Sequence, residues 1–404
     1  FLITIGTNKE DSKERSLTEI SSDFKSVVNG NNEFAFDLYS QLKEQNGNLF
    51  FSPFSISSAL AIAYGGAKGN TEKQMSQILH FPPNQAVFHE AISQVKSKFD
   101  NISGKKKIEL NIVNCLWIQE NYGFLNDFLA MAQENYGSTI EFASFMTSYD
   151  TIRNEINRYI EQKTKRKIKD ALSPGALSAI TRLVIVNAIY FKGDWASCFK
   201  KKYTEEKNFW ISKDKSVTTE FMQQEHEFRY MESNYLKILE LPYVGYDLCM
   251  IVILPKDVDG INQIEESLIA KELNSCLQDL RIYKVNVILP KFKVKSRFEL
   301  EDTLSSMGMP DAFDANRADF SGMTQIKPLF IYAVAHTALV EVDEQGTVAT
   351  SATSVHFGCA AEVEPPSTIF LADHPFVFLI RDIHTGTILF MGRLIDPREA
   401  YKTE

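Results

Sequence analysis

The chain has 404 residues, 44% hydrophobic and 24% charged, which are the proportions of a folded globular protein rather than a disordered one. Its formal charge of −9, from 52 acidic and 43 basic side chains, argues against a mainly nucleic-acid-binding role. No apolar run reaches the ~20 residues of a membrane-spanning helix, whereas 29 phenylalanines supply a large aromatic core.

Residues 1–22 are polar and predicted to be a flexible segment. The opening Phe-Leu-Ile-Thr-Ile-Gly lacks an initiator Met and fits the remnant of an apolar secretion signal. From 24 to 45, Val27, Val28, Phe34, Phe36, Leu38, Tyr39 and Leu42 recur at helical spacing. A second helix is predicted over 53–64, stopped by Gly65-Gly66. Thr71-Glu72-Lys73-Gln74 has the form of a capping box that starts the next one. Residues 108–119 read as a strand, 124–136 as a helix and 152–172 as one long amphipathic helix. The run 183–191 is almost continuously apolar, as in a strand covered on both faces.

Beyond 200 the pattern is mostly β. Strands are predicted at 221–231, 236–241, 248–254 and 283–292, a short helix at 298–308, and strands at 333–342, 376–380 and 387–394. Helices dominate the first half and strands the second, without regular alternation. This predicts an α+β fold with large antiparallel sheets. No Gly/Ser/Pro-rich linker divides residues 23–404, which are expected to form a single domain.

Residues that carry chemistry are scarce. Gly65-Gly66-Ala67-Lys68-Gly69 lacks the order of a phosphate loop and has no strand before it. There is no GxSxG elbow and no HExxH. The seven histidines (His80, His89, His226, His336, His356, His374, His384) stand at no metal-ligand spacing. The five cysteines (Cys115, Cys198, Cys249, Cys276, Cys359) are far apart and form no CxxC pair. Cys115 and Cys249 sit in apolar runs and read as buried. The chain is therefore read as a binding or inhibitory protein rather than an enzyme, with no cofactor and no metal. Asn101-Ile102-Ser103 is a glycosylation sequon, which suits a secreted glycoprotein; a cytoplasmic location is the alternative. Lys96, Lys98 and Lys105–Lys107 offer a place for a sulfated polysaccharide, against which the acidic balance weighs.

The most informative stretch is 346–361, Gly-Thr-Val-Ala-Thr-Ser-Ala-Thr-Ser-Val-His-Phe-Gly-Cys-Ala-Ala. It holds no Asp, Glu, Lys, Arg or Pro, although Glu341, Asp343 and Glu344 precede it and Glu362 and Glu364 follow. Surface loops are usually charged and rich in turn residues; buried strands are rich in large apolar ones. This composition can live in water or inside a sheet.

Five ordered segments give the chain a recognisable likeness. They are 48–60 (Asn-Leu-Phe-Phe-Ser-Pro-Phe-Ser-Ile-Ser-Ser-Ala-Leu), 186–195 (Val-Asn-Ala-Ile-Tyr-Phe-Lys-Gly-Asp-Trp), Leu289-Pro-Lys-Phe292 with 318–322 (Ala-Asp-Phe-Ser-Gly), 336–346, and 373–378 with 389–393. In these the chain resembles the serpin family of serine protease inhibitors. The resemblance implies three β-sheets, about nine helices and an exposed reactive-centre loop, here about 344–368. In inhibitory members a serine protease cleaves this loop and becomes acylated. The freed loop enters the main sheet as a new strand and the trapped protease is distorted.

The resemblance also assigns roles to single residues. Glu344, Gly346, Thr347, Ala349, Ser351 and Thr353 match the hinge. In an inserted strand Thr347, Ala349, Ser351 and Thr353 share the inward face, where a charge would cost several kcal/mol to desolvate. Ser52, Ser55, Asn187 and His336 match a polar cluster beneath the sheet. Trp195 matches the tryptophan where the loop first enters, and Lys291 with Glu344 a surface ion pair worth under about 1 kcal/mol. Tyr159 stands where the family often has Trp in the long mid-chain helix. The count from Glu344 puts the reactive bond at Ala360-Ala361, suited to an elastase-like protease. Phe357-Gly358 is the chymotrypsin-like alternative. A monomer without nucleic-acid or membrane partners is expected, and a non-inhibitory carrier is the alternative function.

Overall fold

The computed structural model describes residues 21–103, 107–137, 139–267, 270–346 and 368–398. In chain order it contains α1 (Ser22–Leu42), β1 (Leu49–Phe51), α2 (Pro53–Tyr64), α3 (Gly69–Ile78), α4 (Gln85–Ser103) and β2 (Ile108–Gln119). Then come α5 (Asn126–Tyr136), β3 (Thr139–Ala143), α6 (Phe145–Lys163), β4 (Leu183–Gly193), β5 (Glu205–Ser212), β6 (Lys215–Glu232), β7 (Leu236–Pro242) and β8 (Leu248–Pro255). The remainder is α7 (Ile261–Ser267), α8 (Ala270–Gln278), β9 (Arg281–Pro290), β10 (Phe292–Glu299), α9 (Glu301–Met307), β11 (Ala333–Val342), β12 (Thr368–Leu371), β13 (Phe376–Asp382) and β14 (Ile388–Leu394). The expected α+β class and nine helices are present among the described residues.

Two sheets organise these elements. A five-stranded sheet runs β10-β11-β4-β2-β3. A nine-stranded sheet runs β1-β14-β13-β8-β7-β6-β9-β12, with β5 also on β6. The 18-residue β6 pairs with β5 over its first part, with β9 from Phe221 to Tyr230 and with β7 near its end, so two of the three expected sheets are continuous through it.

The period of two along β4 explains why its sequence reads as continuously apolar. Ile185, Ile189 and Phe191 point into the main core with Phe50 and Phe390. Val184, Val186, Ala188 and Tyr190 point to the opposite face, beneath Ile152, Ile156 and Ile160 of α6. Each large buried aliphatic side chain contributes roughly 1.5–3 kcal/mol. Tyr159 fills its expected place, edge-on to Trp117 at 6.1 Å.

Several expectations are corrected. The long helix predicted over 152–172 begins earlier, at Phe145, and stops at Lys163. Lys165 and Arg166 are left-handed (φ +50° and +63°), and the chain then crosses the sheet, an apolar pattern that mimics helix periodicity. The predicted capping box does not cap. α3 starts at Gly69, Thr71 Oγ1 accepts the Asp319 N–H and Gln74 Oε1 accepts the Asp311 N–H. The segment 283–299 is two strands, β9 and β10, divided at Lys291. Gly66 is required by close approach: a Cβ there would lie 2.1 Å from Met323 Cγ.

Candidate functional site

β4 and β11 are adjacent and parallel, in register from Ala333↔Val184 to Val340↔Phe191, with no strand between them. On their outer sides β2 and β10 pair antiparallel. A parallel ladder is slightly weaker per residue than an antiparallel one. The β4–β11 line is therefore a natural seam.

Beneath the seam lies the predicted polar cluster. Ser52, Ser55, Asn187 and His336 are all brought together there and buried. His336 stands directly opposite Asn187 in the ladder. Its Nε2 accepts the Ser52 N–H at 3.1 Å, so the ring proton sits on Nδ1 and is donated to Asn187 Oδ1. Asn187 Nδ2 donates to Ser55 Oγ, Ser55 O and Asn114 Oδ1. The Ser52 hydroxyl donates to Leu389 O on β14 at 2.6 Å and accepts the Ser55 N–H at 3.2 Å. Burial pushes the His336 pKa down to about 3, so the imidazole is neutral at physiological pH. The Phe298 ring stacks on it at 6.3 Å.

At the top of the seam, β11 ends in a turn pinned to the start of the β4–β5 connection. Trp195 N–H donates to Gln345 O (3.0 Å), its indole N–H to Asp343 O (2.9 Å), and Phe199 N–H to Glu344 O (2.8 Å). The indole stacks on Tyr243 at 4.7 Å. Gly346 has φ +76°, and a Cβ on it would lie 2.3 Å from Gly193 O and from Trp195 N.

The Lys291–Glu344 contact is present at 3.3 Å, but it is not the surface pair expected. The Glu344 side chain is only 9% exposed. It also accepts the Thr204 hydroxyl at 2.8 Å, while Lys291 also binds Glu220 at 3.0 Å. Burial alone would raise the Glu344 pKa; its own backbone N–H, Thr204 and Lys291 outweigh that and hold it below the ordinary value.

Thr347, Ala349, Ser351, Thr353, Phe357, Gly358, Ala360 and Ala361 lie outside the described residues. Asn101 is exposed in the last turn of α4, with Ile102 buried beside it. Of the basic residues suited to a polyanion, Lys98 is committed to the fully buried Asp382 at 2.8 Å, Lys96 to Asp100, and Lys107 lies 3.9 Å from Asp194. Lys105 and Lys106 lie outside the described residues. Cys115 and Cys249 are buried, as expected, while Cys198 is exposed beside Gln345 O.

Sequence reasoning missed Asn114, Thr204, Glu220 and Tyr243 as partners in this region. Asn114 had a readable signal: it is a polar residue on the inward-facing phase of β2, between Ile112 and Leu116. The others come from separate segments and only the fold brings them together.

A family model described as serpin (serine protease inhibitor) matches residues 29–397. The leukocyte elastase inhibitor of Xenopus tropicalis is 38% identical over 379 residues, covering 90% of this chain and 97% of that protein. The crystal structure of uncleaved ovalbumin superposes with a TM-score of 0.84 at 30% identity, over 92% of this chain and all of that one. The crystal structure of human thyroxine-binding globulin gives a TM-score of 0.84 at 28% identity, over 94% of this chain and all of that one. With a seam of two parallel strands, a buried polar cluster below it and a family model matching most of its length, the chain belongs to the serpin family.

Proposed function

We propose that this protein is a suicide-substrate inhibitor of an elastase- or chymotrypsin-like serine protease, trapping the acyl-enzyme by inserting residues 347–360 between β4 and β11. The reading is carried by the composition of that segment set beside the seam. A chain leaving the end of β11 and turning back runs antiparallel to both β11 and β4. Its entry replaces one parallel ladder by two antiparallel ones, each intrinsically somewhat stronger. Thr347, Ala349, Ser351 and Thr353 would face inward on this path, and none carries a charge that must be desolvated. The relatives named leukocyte elastase inhibitor support the target class.

Cleavage is assigned to Ala360-Ala361, with Phe357-Gly358 as the alternative. The absence of Lys and Arg over 346–368 disfavours a trypsin-like target. The test is incubation with elastase, chymotrypsin and trypsin, followed by a denaturing gel and mass spectrometry of the released fragment. A detergent-stable complex with elastase or chymotrypsin, and a fragment beginning at Ala361 or Gly358, is expected. Cleavage by both without any complex would refute inhibition. The likeness to thyroxine-binding globulin makes a carrier the second reading; it requires saturable binding of a small ligand and no complex.

A further inference from the structure

α3 ends at Ile78, and the turn after it closes as a left-handed helix cap. Leu79 N–H donates to Met75 O (3.0 Å) and Phe81 N–H reaches back to Ser76 O (2.9 Å). Such a cap asks for glycine or asparagine at the residue between them. Here it is His80, at φ +53°, a conformation that side-chain-bearing residues rarely adopt. Phe81, next in the chain, is buried with its ring 4.3 Å from Phe88 and 5.3 Å from Tyr64. The turn therefore joins a strained residue to a core anchor.

What holds His80 in place comes from α1. Its Nε2 lies 2.7 Å from Asp37 Oδ2 and its Nδ1 3.1 Å from Glu33 Oε2. These carboxylates stand four residues apart on one face of α1, where alone they repel each other. An ionised carboxylate only accepts hydrogen bonds, so both contacts are satisfied together only when both ring nitrogens carry protons. The ring also lies just past the C-terminus of α3, where a cation is favoured, and the last turn of α3 has no basic residue of its own. Gly30 on α1 completes the contact. A Cβ there would run into the His80 carbonyl oxygen, so the helix interior carries a glycine and the turn can sit against it. Asp37 and Glu33 are the charged groups that act on the ring; α3 and the segment leading into α4 bring none among the described residues. The hydrogen bond to Asp37, with the charges of Asp37 and Glu33, outweighs partial burial and holds the His80 pKa above its ordinary 6.5.

We propose that His80 is a proton-operated latch: its imidazolium fastens residues 79–84, the turn between α3 and α4, to α1, and loss of that proton at rising pH lets the turn open. A neutral imidazole has one N–H for two carboxylates, so a ring lone pair then faces a negative charge and the left-handed residue loses its restraint. The sign is opposite to that of the buried His336. The folded state holds this proton more tightly than the unfolded chain does, so the contribution of the latch is whole below pH 6.5 and is lost as pH climbs through the folded value. The latch does not rest on the insertion reading above.

The test uses the full chain and two variants. Imidazole resonances in nuclear magnetic resonance, with His80 assigned by its loss in His80→Gln, read the proton. Amide hydrogen exchange, corrected for its own base catalysis, reads the turn. His80 is expected to titrate above 6.5, and lower in Asp37→Asn than in wild type. Between pH 6 and 9 the protection of residues 79–84 in wild type should fall through that same midpoint, by up to about tenfold for each unit by which the folded value exceeds 6.5. In His80→Gln protection should be low already at pH 6 and level with pH. Where that variant does not fold, Asp37→Asn gives the same reading, its fall coming at lower pH and being smaller. A His80 midpoint at or below 6.5, a midpoint unmoved by Asp37→Asn, or wild-type protection that stays level from pH 6 to 9 overturns the latch.

Discussion

Asn187 and His336 face each other across the parallel β4–β11 ladder, and the imidazole Nδ1–H binds the amide oxygen. The pH response follows from this. The unfolded imidazole titrates near its ordinary 6.5, whereas the folded one is pushed down to about 3. Between these values the unfolded chain binds more protons. Stability is therefore full above pH 6.5 and falls as pH drops toward 3, at up to about 1.4 kcal/mol per pH unit. His89, held down to about 4 by burial and by Lys68, adds to the same window. The His336→Gln variant should lose the His336 part of the slope and about 1–3 kcal/mol at neutral pH. Urea midpoints measured from pH 4 to 8 check both; equal slopes in the two proteins would remove the assigned cause.

Gly346→Ala should loosen the turn at the top of the seam. The new methyl meets two backbone atoms that cannot swing away, Gly193 O and Trp195 N, on a residue at φ +76°. A loss of about 1–3 kcal/mol is expected, read as a lower urea midpoint with unchanged m.

Trp195→Phe removes the indole bond to Asp343 O while keeping an aromatic ring against Tyr243. A cost of about 1–2 kcal/mol is expected, together with faster uptake of a synthetic peptide of residues 347–359 because the turn is less firmly held. A variant as slow as wild type would show that this contact does not guard entry.

Thr347→Arg places a charge at the first inward position of the inserting segment. Its desolvation costs several kcal/mol, so cleavage should continue while the detergent-stable complex with the protease is lost. A gel showing the same yield of complex as wild type would rule out insertion as the trapping step.

Cleavage within 357–361 should raise the melting temperature by more than 10 °C, because the inserted strand exchanges one parallel ladder for two antiparallel ones. Differential scanning calorimetry of intact and clipped protein measures this. Identical transitions would mean that no strand had been added.

Long apolar elements were legible because their period is set by burial. The strands 108–119 and 333–342 and the helix 53–64 have the bounds read from sequence. What failed were elements whose pattern answers to a distant partner. The apolar residues Ile168, Ala171 and Leu172 continue the face of α6 in sequence, yet they dock on the sheet from an irregular, non-helical segment. β5 has few buried residues and β12 is four residues long, so neither carries a strong alternation. At the site, single polar residues in apolar runs, Asn187 and His336, were visible. The burial of Glu344 was not, because Thr204 and Lys291 reach it from two separate segments.

The two ends of the neutral segment are moored to different bodies of the molecule. Gly346 follows β11 in the five-stranded sheet, while Thr368 opens β12, hydrogen-bonded to β9 in the nine-stranded one. Once a single peptide bond between them is cut, nothing covalent within that segment ties the departing end to its old neighbour. The upstream piece can travel with its own sheet while the downstream piece stays fastened where it was, so scission alone sets the two apart.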